Sequence, residues 1–185
     1  MTNLIKGDEV RHGKHVVLEA LSKTVIDSMP DAPLSELMLM QLNDGLSAIT
    51  PMTAKQVMSA VKAQDGLTFA LCLQTDDCTI GACQLVDIDW TGRHAQLRIS
   101  IIEEAHFTVD MLADVLQTVL QFAYWEANLN RVAMRCLDDN THLQSALERV
   151  GFTNEGRLRQ EAYRNGAFMD ILVYSVLSRE WMQSE

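Results

Sequence analysis

The stretch N-L-N-R-V-A-M-R-C-L-D-D-N-T-H-L-Q-S-A-L-E-R-V-G-F-T-N-E-G-R, Asn128 to Arg157, decides how this chain is read. Arg131 to Leu137 predicts a strand, and Asp138-Asp139 breaks it. From Thr141 to Val150 the period changes: Leu143, Ala146, Leu147 and Val150 fall on one helical stripe. Gly151 stands where that helix must stop, because glycine takes the left-handed conformation of a C-cap cheaply. Phe152 then carries the chain back toward a sheet. A strand followed at once by a short helix and another strand is the language of an α/β protein.

Upstream, Met111, Leu112, Val115, Leu116, Val119, Leu120 and Ala123 recur at helical spacing and predict a helix over Asp110–Ala127. Three strands are expected before it: Thr68–Gln74, Thr79–Trp90 and Ala95–Ile102. Asp76-Asp77 and Thr91-Gly92 are the turns between them, so an antiparallel meander fits. In the third strand Gln96, Arg98 and Ser100 alternate with Leu97, Ile99 and Ile101, one wetter face against one buried face. Nearer the N-terminus, His15–Leu21 reads as a first strand and Leu34–Leu42 as a helix. Thr53 and Gln56 form a capping box for a helix reaching about Ala63. Downstream, Gly156–Tyr163 and Met169–Leu177 are strands joined through Asn165-Gly166. With no repeat and no linker-like tract, residues 1–185 read as one α/β (α+β) domain. Its mixed central sheet should have about seven strands with helices on both faces.

Composition narrows the function. The chain has 185 residues, 48% hydrophobic and 22% charged, ordinary globular usage. Acidic residues outnumber basic ones 25 to 15, for a net charge of −10. That balance argues against a nucleic-acid or anionic-membrane binder and suits a basic or amine partner. No apolar run approaches membrane-spanning length, and the start has no apolar signal core. Cys72, Cys78, Cys83 and Cys136 make no Cys-x-x-Cys pair, so reduced thiols in a cytoplasmic protein are expected. His12 and His15 are a lone pair without the ligand spacing of a metal site, and no metal is expected.

Several positions carry a more specific likeness. Arg131-Val132, Asn140, Leu147-Glu148, Gly151-Phe152, Glu155-Gly156, Asp170 and Glu180-Trp181 together resemble the GNAT superfamily of acyl-CoA-dependent N-acetyltransferases, in its RimJ/RimL branch. Gly13-Lys14-His15-Val16-Val17-Leu18 resembles the opening of that branch, so the likeness runs over nearly the whole chain. The resemblance implies the GNAT fold and transfer of an acetyl group from acetyl-CoA to an amine, either a small amine or a basic protein or peptide. It implies two parallel strands parted in mid-sheet, here Ala95–Ile102 and Arg131–Leu137, with the pantetheine arm between them. The pyrophosphate would rest on the start of the following helix, where leading N–H groups and the dipole attract anions. Relatives are often dimers, which leaves a homodimer open.

The chain departs from the family at that helix start. The motif Arg/Gln-x-x-Gly-x-Gly/Ala falls on Phe107-Thr108-Val109-Asp110-Met111-Leu112, and no glycine lies between Gly92 and Gly151. An internal carboxylate therefore stands where an external pyrophosphate is expected, which implies weakened or lost acetyl-CoA binding. Exchanging Asp110 and Leu112 for glycine and Phe107 for arginine is expected to restore some affinity in a folded protein. The positions where relatives carry a proton donor hold Leu143 and Leu147. The resemblance then leaves Ile101, Phe107, Asp110, Leu112 and Asn140 as cofactor-side residues, Glu103 as general base, Asn140 as the retained polar residue and Tyr174 as an alternative acid. Tyr163, Ser145 and His142 stand nearby, the last two out of register. Three readings stay open: an N-acetyltransferase with an altered phosphate site, a non-catalytic GNAT-fold protein that binds a ligand or partner in the same cleft, or an acyltransferase with another donor lacking the CoA phosphates.

Overall fold

The computed structural model describes residues 11–29, 34, 53–75, 78–164 and 166–183. The helix expected over Leu34–Leu42 and the turn at Asp76-Asp77 lie outside the described residues, as does Asn165 of the last turn. Among the described residues eight strands form one sheet in the order β1-β2-β3-β4-β5-β6-β8-β7. They are β1 (Arg11–His12), β2 (Val16–Ala20), β3 (Leu67–Leu73), β4 (Thr79–Asp89), β5 (His94–Ile101), β6 (Arg131–Leu137), β7 (Thr153–Arg164) and β8 (Ala167–Leu177). The helices are α1 (Lys23–Ser28), α2 (Ala54–Lys62), α3 (Val109–Gln121), α4 (Thr141–Val150) and the short α5 (Ser178–Trp181).

The predicted meander is present: β3 through β5 pair antiparallel in sequence order, and β2 joins it antiparallel to β3. The predicted capping box at α2 is also present. Gln56 N donates to Thr53 Oγ1 (3.3 Å), and Thr53 N donates to Gln56 Oε1 (2.9 Å). Gly151 caps α4 at φ 95°, where a side chain would be strained. β1 and α1 carried too little periodicity to be read. α1 is only six residues, started by Ser22, whose hydroxyl accepts from Val25 N at 3.1 Å.

Alternation along the strands sorts two cores. On one face Leu97, Ile99 and Ile101 of β5, Val132, Met134 and Cys136 of β6, and Tyr174 of β8 pack against α3 and α4. On the other, Val17, Ala70, Cys72 and Ala82 pack against Val57, Met58 and Val61 of α2 and Ile26 of α1. Burial drives the Cys83 thiol far up and the Cys136 thiol up to about 12, so both are inert core residues.

α3 is shorter than its periodicity suggests. It ends at Gln121 and widens into a single π-helical turn, Phe122–Glu126. That turn aims Tyr124 at β8, where its hydroxyl donates to the Val176 carbonyl at 2.9 Å.

One buried carboxylate ties α3 to the N-terminal strands. Asp114, 6% exposed, accepts from the consecutive amides of Lys14 (2.7 Å), His15 (2.6 Å) and Val16 (3.0 Å). The close approach needs Gly13: a Cβ there would meet Thr118 Oγ1 at 2.4 Å and Asp114 Oδ1 at 2.9 Å. Asp114→Ala leaves the buried Val16 amide and the partly buried Lys14 and His15 amides without an acceptor and is expected to cost about 3 kcal/mol. Urea titration checks this, and a loss under about 1 kcal/mol rejects the anchor.

Candidate active site

β5 and β6 are parallel, so their C-terminal ends reach the same edge of the sheet. They pair only at His94↔Arg131, Ala95↔Val132 and Gln96↔Ala133. Beyond that point β5 stays with β4, as far as Ile101↔Gly81. β6 stays with β8, as far as Leu137↔Ile171. The strands therefore part between residues 97–101 and 134–137, where the resemblance expected a gap. Backbone N–H and C=O groups facing such a gap are donors and acceptors for an extended ligand.

Asn140 sits at the mouth, directly after β6. It is the N-cap of α4, and its Oδ1 accepts from Leu143 N at 3.1 Å. The competing box from Thr141 to Gln144 does not form. Instead Gln144 Nε2 donates to the carbonyls of Leu137 (3.2 Å) and Asp138 (3.0 Å). Asn140 is 8% exposed, and its Nδ2 is buried with no hydrogen-bond partner. A buried donor left unmade costs roughly 1–3 kcal/mol.

On the β5 side, the turn Glu104–His106 follows Ile101 and Ile102. Glu103 Oε2 lies 3.3 Å from His106 Nε2, and Cys78 Sγ approaches Glu103 Oε1 at 4.0 Å. Glu103 is thus a half-exposed carboxylate with an imidazole neighbour. Spacing could have shown this pair, since residues three apart adjoin in a helical turn.

α3 begins at Thr108, whose hydroxyl accepts from Met111 N at 3.2 Å. The first intrahelical bond runs from Leu112 N to the Thr108 carbonyl at 2.9 Å. Leu112 therefore lies one turn inside the helix, and its side chain is fully buried in the core. Val109 and Asp110 supply the leading amides. Asp110 is exposed and pairs with Arg149 of α4, whose guanidinium holds its carboxyl below the usual range. Phe107 meets His142 of α4 edge-on, ring centroids 6.0 Å apart. His142 and Arg149 are seven residues apart, two helical turns, so α4 spans the start of α3 with one face.

Ile101 and Glu103 stand at the C-terminal end of β5 and Asn140 beyond the same end of β6, while Phe107 lies against His142 at the start of α4 and Asp110 against Arg149 near its end. Tyr174 is elsewhere. It is buried under the later half of α4, its hydroxyl 3.4 Å from Glu148 Oε1, and burial raises its pKa. Leu143 and Leu147 are buried in the α4 stripe. Tyr163 is exposed on β7 against Phe168, ring centroids 5.0 Å apart. Among the described residues, no three His, Cys, Asp or Glu side chains group to hold a metal ion, and no helix is long and apolar enough to cross a membrane.

Comparison with known proteins agrees with this geometry. Residues 35–153 match the family model described as an acetyltransferase (GNAT) domain. Over 106 residues the chain is 31% identical to YdaF of Bacillus subtilis (strain 168), a provisionally named ribosomal N-acetyltransferase, covering 57% of each chain. It is 24% identical over 103 residues to a spermidine N(1)-acetyltransferase of Vibrio cholerae, covering 56% of this chain and 59% of that one. The chain therefore matches a little over half the length of these two relatives. In shape it is similar to a GNAT-family acetyltransferase from Bacillus anthracis, with TM-score 0.75 and 14% identity over 93% of this chain and 100% of that one. It is also similar to the spermidine N-acetyltransferase of Vibrio cholerae solved with CoA and spermine, with TM-score 0.73 and 17% identity over 90% of this chain and 98% of that one. At those identities the structural likeness speaks for the fold alone. The fold, its parted parallel strands and a family model matched over more than half of its length make this chain a member of the GNAT acetyltransferase family.

Proposed function

We propose that this protein transfers an acyl group from a thioester to an amine in the gap between β5 and β6. The observation that carries the reading is the buried, unpartnered Nδ2 of Asn140 at the mouth of two parted strands. That donor suits a carbonyl of the pantetheine arm, lying between the strand edges as a third strand would. Acetyl-CoA fits in part. The gap and Asn140 suit its thioester half, whereas the first turn of α3 does not suit its pyrophosphate, since the Asp110 carboxylate already stands there.

On the acceptor side Glu103 is a base of the right chemistry, with His106 beside it to pass a proton on. The amine nitrogen attacks the thioester carbonyl, a C–N bond forms and the C–S bond breaks. The proton that the amine loses ends on the departing sulfur. An acidic mouth with Glu103 and Glu104, in a chain of net charge −10, favours an ammonium-bearing acceptor over an anionic one. Spermidine, the substrate in the name of one relative, and short peptides with free N-termini are the acceptors to test first.

Asn140→Ser keeps a capping oxygen for α4 and removes the amide. It is expected to lower kcat/KM at least thirtyfold, about 2 kcal/mol, with melting nearly unchanged. Mass spectrometry of amine products from wild type and variant reads this out. Equal product from both removes Asn140 from the site. The non-catalytic reading has its own support in the buried Leu143 and Leu147, which offer no proton. It takes over if a thioester binds wild type and no amine is acylated.

A further inference from the structure

We propose that the cleft accepts a pantetheine-type thioester that lacks the nucleotide and pyrophosphate of coenzyme A, and that the Asp110 carboxylate in the first turn of α3 enforces this choice. The inference rests on the acyltransferase reading and names its donor class.

An anion arriving at the start of α3 needs unspent N–H groups and cations. Here one leading amide and the nearby guanidinium are already taken from within the chain. Thr108 Oγ1 has taken Met111 N. Asp110, in the first turn, has taken the Arg149 guanidinium, and the charges of His15 and Lys14 also act on it. A pyrophosphate would have to displace Asp110 from Arg149, or lie beside a carboxylate that stays ionised at neutral pH. The Phe107–His142 contact adds a second bridge between the approach to α3 and the start of α4. None of these groups lies between residues 97–101 and 134–137. The thioester arm therefore keeps its gap and its Asn140 donor, while the nucleotide loses its seat. An uncharged pantetheine thioester needs no seat at the start of α3.

The test compares S-acetylpantetheine, S-acetyl-4′-phosphopantetheine and acetyl-CoA as donors to one amine, with calorimetry of CoA alongside. CoA is expected to bind wild type with Kd above about 100 μM. S-acetylpantetheine is expected to give kcat/KM at least equal to that of acetyl-CoA. Asp110→Asn should shift the acetyl-CoA to acetylpantetheine ratio at least tenfold toward acetyl-CoA, because it removes an anion and releases Arg149. Adding Arg149→Ala should abolish that gain. A micromolar Kd for CoA, acetyl-CoA tenfold better than acetylpantetheine, or an Asp110→Asn ratio like wild type each overturns the proposal and leaves the acyltransferase reading standing. If no thioester binds and no amine is acylated, both fall together. The phosphopantetheine donor separates rejection of one terminal phosphate from rejection of the nucleotide alone.

Discussion

Leu112→Gly is expected to lower the free energy of unfolding by about 3–6 kcal/mol. The side chain is fully buried among the α3 and sheet residues of the larger core, so its removal leaves a cavity the neighbours close only in part. Glycine adds a propensity cost of about 1 kcal/mol in a helix interior. A marginally stable protein of this size does not absorb such a loss comfortably. The measurement is urea denaturation followed by far-ultraviolet circular dichroism, with Leu112→Ala beside it to separate cavity from backbone. A loss under about 1.5 kcal/mol for the glycine variant means that Leu112 is not the core residue described. This changes the restoration expected from sequence. Glycine at both Asp110 and Leu112, with arginine at Phe107, breaks a core contact at one site while relieving charge at another. Asp110 alone is exposed and exchangeable, which makes it the position for donor-selectivity experiments.

Trp181→Ala should cost about 3–5 kcal/mol. The indole is 2% exposed and closes the end of the sheet where α3, β6 and β8 meet. Its ring lies 5.6 Å from Tyr124 and 5.7 Å from Trp125. Losing it uncovers the π turn as well as the β8 end, because Tyr124 is tied to Val176. Phe152→Ala, at 5% exposure after the Gly151 cap, should fall toward the lower part of the same range. Thermal and urea unfolding of the two variants report both effects. Near-wild-type melting of Trp181→Ala shows that the aromatic cluster contributes little.

Local chemistry made much of the fold legible. The β6–α4–Gly151 run could be read because its determinants lie within a few residues of one another: strand, turn, helical stripe, left-handed cap. The Thr53 box and the β3–β4–β5 meander were legible for the same reason. At α4 two caps competed in the sequence. Geometry chose Asn140, leaving Gln144 to serve the carbonyls at the end of β6.

The site was legible only as a set of positions. Sequence alone put Ile101, Glu103, Phe107, Asp110 and Asn140 near one cleft, by strand order and family resemblance. It placed Leu112 on the phosphate loop, one turn from its position in the core, and left Tyr174 as a candidate acid. A helix start and a side-chain direction depend on what packs against the chain. Arg149 and Asp114 went unread as partners because they act across 39 and about 100 residues of chain. No periodicity records such a contact. The distance at which β5 and β6 part is likewise absent from either strand's own pattern, since each is satisfied by its outer neighbour. Sequence by itself determined most of the elements, their order and the residue types available at the cleft. Tertiary structure alone decided that Asp114 is spent on the amides of residues 14–16 and that the buried Asn140 amide has no partner, because hydrogen-bond satisfaction is settled only when distant segments meet.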